Sequence, residues 1–208
     1  MTQNNRVQWV YSSQNEQELE ERYDQWAEEY DADLESEYGW ISPQRTSETM
    51  ARYVEKSASV LDAGAGTGLV GECLHQLGFT NMTAMDLSNG MLEVARRKNI
   101  YSALDQMTMG ETLGYETNQF DASIVVGVFT QGHAPASSLD ELVRVVKTGG
   151  HIAFSLRTDT YLENGFKDKI DSLTSDGLWK LVEVTDPYHP LPKGEPEVQH
   201  QVWVFQIN

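Results

Sequence analysis

At 208 residues, 39% of them hydrophobic and 10% aromatic, the chain can build one α/β sheet with an added flap, and no apolar run reaches membrane-span length. Against 32 acidic residues stand 15 basic ones, and the net charge of -17 repels phosphate polyanions and anionic lipid, so neither nucleic acid nor membrane is expected as a partner. Cys73 is the only cysteine, which excludes an internal disulfide and a thiolate metal cluster.

Met1 to Arg6 is polar and lacks the apolar stretch of a secretory signal, so a cytoplasmic chain is expected. From Glu16 to Leu34, Tyr23, Trp26, Ala27 and Tyr30 fall on one stripe of a helix whose other faces are acidic. Arg22 is the lone base from Glu16 to Glu37, and the acidic run reads as a solvated helix face. A looser segment through Gly39, Trp40 and Pro43 precedes a second helical pattern over Thr46 to Lys56.

From Val60 onward, short apolar runs alternate with helical patterns, as in parallel βαβ units covered on both faces. Strands are expected at Ser59–Ala63, Asn81–Met85, Leu104–Met109, Ala122–Val126 and His151–Leu156. Helices are expected near Leu69–Leu77, Met91–Asn99, Ser138–Val146 and Gly165–Thr174, the first holding Cys73 as a buried structural thiol. Leu178–Asp186 and Val198–Ile207 alternate apolar with polar across a proline-rich link too short for a helical crossover, and predict an antiparallel hairpin at the sheet edge.

Val60-Leu-Asp62-Ala-Gly64-Ala-Gly66-Thr-Gly68 runs from a strand through a glycine-rich turn into a helix, where backbone N–H groups can approach a ligand. The stretch also reads as the dinucleotide pattern Gly66-Thr-Gly68-Leu-Val-Gly71, with Asp86 at the spacing of a ribose-binding acid, so the fingerprint alone does not choose a cofactor. Asp62 tilts the choice, because an acid just before the glycines suits the ammonium of a bound amino acid and repels a pyrophosphate. The helical lead-in and the terminal hairpin tilt it the same way.

Asp62-Ala-Gly-Ala-Gly-Thr-Gly68, Met85-Asp-Leu-Ser88 with Met91-Leu, Phe120-Asp121 and Lys147-Thr-Gly-Gly150 together resemble the successive motifs of class I S-adenosylmethionine-dependent methyltransferases. The Tyr23–Asp31 helix, Gly132-His133-Ala, Leu178-Trp179 and Tyr188 are similar to the Williams–Beuren-region methyltransferase-like proteins. The resemblance implies a single methyltransferase domain over 1–208: an N-terminal helical lid over 1–57, then a Rossmann-like core over 58–208. That core is a seven-stranded, mostly parallel α/β sheet ending in the C-terminal antiparallel hairpin.

The resemblance further implies S-adenosyl-L-methionine as cofactor. It assigns Gly64, Ala65, Gly66, Gly68 and Leu69 to the turn around the methionine and ribose parts, and Asp86 to the ribose hydroxyls. Leu87 and Met91 would pack the adenine, Ser88 would be a further cofactor-binding residue, Val126 and Gly127 would lie on the cofactor side of the fourth strand, and Tyr23 and Tyr30 would bind the cofactor from the lid. Gly110 stands where many relatives carry an aspartate against the adenine amino group, so Gly110 and Glu111 are either a backbone and side-chain contact or a surface turn.

The acceptor side is expected around Phe129, His133, Arg157 and Tyr188, with His133 as a proton acceptor or simply a hydrogen-bonded loop histidine. Methyl transfer needs positioning more than a dedicated base, and no metal is expected. A small metabolite accepting methyl at oxygen, nitrogen or sulfur is the expected acceptor. A protein acceptor, a non-catalytic S-adenosylmethionine-binding sensor or partner subunit, and an NAD-linked oxidoreductase remain as alternatives.

Overall fold

A computed structural model describes residues 6–130 and 132–208. The core strands are β1 (Val60–Ala63), β2 (Met82–Asp86), β3 (Ala103–Gln106), β4 (Phe120–Phe129) and β5 (Val146–Arg157), followed by β6 (Trp179–Val184) and β7 (His200–Ile207). They form one seven-stranded sheet in the order β3-β2-β1-β4-β5-β7-β6. β1 to β5 pair in parallel, while β7 runs antiparallel to both β5 and β6. The expected hairpin thus closes the edge, with its second strand placed inside its first.

Every residue of β1 is buried, which is why Val60-Leu-Asp-Ala reads as a continuous rather than an alternating run. β1 lies between β2 and β4, so the chain reverses direction across the sheet there. In an open α/β sheet the crevice at such a reversal, outside the carboxyl ends of the strands, is where a ligand is held.

The helices are α1 (Arg6–Tyr11), α2 (Glu16–Asp33), α3 (Ser42–Met50), α4 (Leu69–Gln76), α5 (Asn89–Arg97), α6 (Ser138–Val145), α7 (Thr158–Glu163) and α8 (Phe166–Ser175). Asn15 starts α2 by accepting the Glu18 N–H, and a π-helical turn over Leu34–Tyr38 carries the helix to Gly39, whose φ of 63° stops it. α3 begins four residues before its expected start because Pro43 supplies a preset φ in the first helical turn, and it ends before the expected Lys56. Cys73 is half-buried on α4, and burial raises its thiol pKa.

Two sequence expectations shift at the carboxyl ends of strands. β3 stops at Gln106 rather than Met109, and β4 continues past Val126 to Phe129 through an irregularity that contains Gly127 at φ 75°. α1 and α7 give no periodic signal, since each has only six residues. α1, α2 and the π-helical turn pack through Val7, Val10, Trp26, Leu34 and Tyr38 against Leu191 of the β6–β7 link, so the N-terminal helices sit over the carboxyl ends of the strands.

Candidate functional site

A cavity of about 300 Å³ opens above β1, β2 and β4, roofed by α2 and by the link from α1. Its floor is Gly64, Ala65 and Gly66 with Asp86 and Leu87. Gly64 and Gly66 both have positive φ, 78° and 54°, which a side chain would strain. A Cβ on Gly64 would meet Val128 Cγ2 at 2.2 Å, whereas one on Gly66 would meet nothing within 4 Å. Gly64 therefore needs its hydrogen for packing, and Gly66 presents bare backbone to open space.

Asp86 ends β2 and is 7% exposed. Its Oδ2 accepts the Gly66 N–H at 2.8 Å and its Oδ1 the Ser88 N–H at 2.9 Å, which fixes the carboxylate plane against the glycine turn. Burial raises its pKa to about 6, opposed by the N–H groups of Ser88, Gly66 and Leu87. A carboxylate's two oxygens offer about four acceptor sites, so beyond the Gly66 and Ser88 N–H groups the group retains capacity for a ligand hydroxyl. Leu87, Met91 and the run Met107-Thr108-Met109 form an apolar wall beside it.

The far end is aromatic. Tyr23, Tyr30 and Trp40 line it together with Val126, Gly127, Val128 and the Gly132-His133-Ala134 segment. Tyr23 Oη and His133 Nε2 are 2.8 Å apart, and His133 Nδ1 is 3.1 Å from Thr130 Oγ1. Burial raises the pKa of both Tyr23 and Tyr30, so these phenols are neutral hydrogen-bonding groups.

Most of the residues singled out from sequence meet here: Tyr23, Tyr30, Gly64, Ala65, Gly66, Leu69, Asp86, Leu87, Met91, Val126, Gly127 and His133 all line the cavity. Asp62 does not. It is fully buried beneath the turn, where its Oδ2 accepts the Tyr101 hydroxyl at 2.5 Å, and burial raises its pKa to about 7. So enclosed, the carboxyl lies behind the turn and outside the cavity lining.

Gly68 caps α4 with φ 91° and faces Tyr101, and Ser88 caps α5 by accepting the Met91 N–H at 3.0 Å; neither reaches the cavity. Gly110 packs on Pro135 and Glu111 is exposed, because the wall is completed by the three residues before them. Phe129 is a core residue packed edge-to-face on Phe154 and tilted against Phe166. Tyr188 is buried and donates to Ser42 Oγ at 3.0 Å under the Arg45 guanidinium, and Arg157 lies in a neighbouring smaller cavity.

Sequence reasoning missed Thr67, Val70, Leu19, Trp40, Val128 and the Ser13–Glu16 link as lining residues. Trp40 had a local signal in the glycine that faces it: a Cβ on Gly127 would lie 2.9 Å from its ring.

The acidic face of α2 is not simply solvated. Asp24 Oδ1 accepts from Ser88 Oγ at 2.6 Å and from the Gly90 N–H at 2.7 Å, at the amino end of α5, where the helix dipole favours an anion. Asp31 accepts from Thr67 and from Lys98 Nζ, Glu28 from Arg97, and Glu20 from Gln106. α2 is thus tied by its carboxylates to the glycine turn and to both ends of α5.

Among the described residues no group of three or more His, Cys, Asp or Glu side chains is placed to hold a metal ion, and no helix is long and apolar enough to cross a membrane.

Residues 61–154 match a family model described as a methyltransferase domain. Human methyltransferase-like protein 27 is 32% identical over 165 residues, 76% of this chain and 66% of that protein. A ubiquinone biosynthesis O-methyltransferase of Alkalilimnicola ehrlichii is 33% identical over 100 residues, 46% of this chain and 40% of the relative. The chain therefore spans less than two thirds of the length of these relatives. A solved SAM-dependent methyltransferase from Methanosarcina mazei shares the fold with a TM-score of 0.62 at 13% identity, over 76% of this chain and 96% of that one.

Proposed function

Because the chain belongs to the class I S-adenosylmethionine-dependent methyltransferases, we propose that it methylates a small molecule at an oxygen, nitrogen or sulfur nucleophile. The observation that carries this reading is the cavity of about 300 Å³ in which Asp86 and the bare Gly66 backbone stand at one end and the Tyr23–His133 pair at the other. When bound there, S-adenosylmethionine supplies an electrophilic methyl group on a sulfonium sulfur.

The residues present fit that cofactor. Asp86 would accept from the ribose hydroxyls while Gly66 and Ser88 hold its carboxylate in place, and Leu87, Met91 and Met107 would pack the adenine. Tyr30, Trp40 and Gly127 line the opposite end, where orientation of the two reactants can supply much of the rate, on the order of 7–11 kcal/mol in favourable systems. His133, steered by Thr130 on Nδ1, would take the proton released by the acceptor at Nε2, the atom that meets the Tyr23 hydroxyl. The roof of α2 leaves a small molecule as the acceptor this space suits, and the net charge of -17 disfavours a nucleic acid.

The test is transfer of a labelled methyl group from S-adenosylmethionine into a metabolite extract and, separately, into a protein extract. Label in the small-molecule fraction supports the reading. Label confined to protein would replace the acceptor, and no transfer with intact cofactor binding would leave a binding protein.

A further inference from the structure

Beyond the main cavity lies a smaller one of about 40 Å³, lined by Tyr11, Trp26, Trp40, Arg157, Glu195 and His200. It shares the walls Tyr23, Tyr30, Trp40 and Gly127 with the larger space, so the two meet at the end where the Tyr23–His133 pair sits. At that size it holds a water molecule or one small polar head, not a whole metabolite.

Its polar groups are incompletely paired. Glu195 is 5% exposed; its Oε1 accepts from Gln8 Nε2 at 2.6 Å, while its Oε2 has no hydrogen-bond partner among the described residues. His200 is equally buried, and its Nδ1 also lacks a partner. Unpartnered buried polar atoms are costly, on the order of 1–3 kcal/mol each, so two on residues that line one cavity mark a place where a small side-chain adjustment would meet a donor.

The charge balance selects the donor. Arg157 is the cation nearby, but its Nε and Nη2 both donate to Asp159, at 2.9 and 2.6 Å, and the guanidinium holds that carboxyl down to about 2. Burial lowers the His200 pKa to about 3, which leaves its ring neutral. Arg157 therefore acts on Glu195 through its charge but gives it no hydrogen bond among the described residues, and the rings of Tyr11, Trp26 and Trp40 that line the cavity suit a further positive charge.

We propose that this second cavity anchors the protonated amine of the methyl acceptor, with Glu195 Oε2 and His200 Nδ1 receiving its N–H groups and the aromatic rings enclosing it. The acceptor is then a small cationic amine, held by that head while another part of the molecule reaches the larger cavity. This inference rests on the methyltransferase reading for the word acceptor alone, since the cavity and its chemistry stand without it.

The test titrates the full chain with 2-phenylethylamine, 2-phenylethanol and 3-phenylpropionate, which share a ring and a chain and differ in the head group. The amine is expected to bind about tenfold or more tightly than the alcohol, with the carboxylate weakest. Glu195→Gln should bring the amine to the level of the alcohol and leave the dissociation constant of S-adenosylhomocysteine unchanged. Equal binding of the three probes by the unaltered chain would overturn the anchor and leave the cavity as a water site. An undiminished amine preference in E195Q would do so too. Failure of the unaltered chain to bind S-adenosylhomocysteine would instead remove the methyltransferase reading, while the amine preference would still decide the anchor.

Discussion

Asp86→Ala removes more than a ligand contact. Its carboxylate satisfies the N–H groups of Gly66 and Ser88 at 2.8 and 2.9 Å, and the residue is 7% exposed, so water does not readily replace it. Two orphaned buried donors, at about 1–3 kcal/mol each, cost about 2 kcal/mol at the least. For a chain of this size that lowers Tm by about 4–8 °C, at about 2–4 °C per kcal/mol. The loss of two charge-assisted bonds to ribose hydroxyls weakens S-adenosylhomocysteine by about a hundredfold or more. Asp86→Asn keeps one oxygen acceptor, so it should recover part of the Tm and little of the binding. Differential scanning calorimetry and titration calorimetry near pH 8, above the raised pKa of about 6, read both effects. A D86A protein with unchanged Tm would show that the carboxylate does not hold the glycine turn, and unchanged affinity would remove Asp86 from the ribose.

Asp62→Asn tests the buried acid behind the turn. Because burial raises the folded pKa from 3.8 to about 7, the stability tied to its proton is fully present below about pH 4 and lost as pH rises through about 7. The urea midpoint of the unaltered chain should therefore fall relative to D62N between about pH 4 and 7; parallel profiles would mean that Asp62 ionises freely. Gly127→Ala puts a Cβ 2.9 Å from the Trp40 ring at a φ of 75°, and is expected to weaken S-adenosylhomocysteine binding while the sheet stays folded by circular dichroism. Unaltered affinity would show that the Trp40 wall is slack. Asp24→Ala removes the acceptor for Ser88 Oγ and the Gly90 N–H, and hydrogen exchange over residues 16–40 should accelerate, with partial recovery on S-adenosylhomocysteine. Exchange as slow as in the unaltered chain would show that aromatic burial alone fixes α2.

The sheet was legible because its signals are local. Continuous apolar runs mark the buried parallel strands, alternation marks β6 and β7, and the Gly64–Gly68 turn needs residues without side chains at positions set by backbone angles alone. The same locality explains Asp86, since a strand end and a helix cap meet within three residues there. The burial of Asp62 behind the turn was not legible, because sequence shows that an acid precedes the glycines but not which way its side chain points. That is decided by Tyr101, thirty-nine residues on, whose hydroxyl closes the space behind the turn.

The acidic helix carries the same lesson further. Read alone, α2 is a run of like charges with one arginine, marginal by itself, and its aromatic stripe is its sole reason to dock. In the fold, Asp24, Glu28 and Asp31 meet the amino end of α5, Arg97 and Lys98 at its other end, and Thr67 in the glycine turn. Those partners lie thirty-six to sixty-nine residues away, beyond the reach of any periodicity. Exposed pairs among them add little each, but Asp24 satisfies the helix amino end and Lys98 is largely covered, so the set fixes where the roof sits. Docking then depends on both halves of the helix surface, with the stripe burying Trp26 and the carboxylates choosing the register over α5. Loss of the Asp24 contacts would thus loosen the register of α2 over α5 while Trp26 stays buried, and that partial loosening is what the exchange of residues 16–40 in D24A reads.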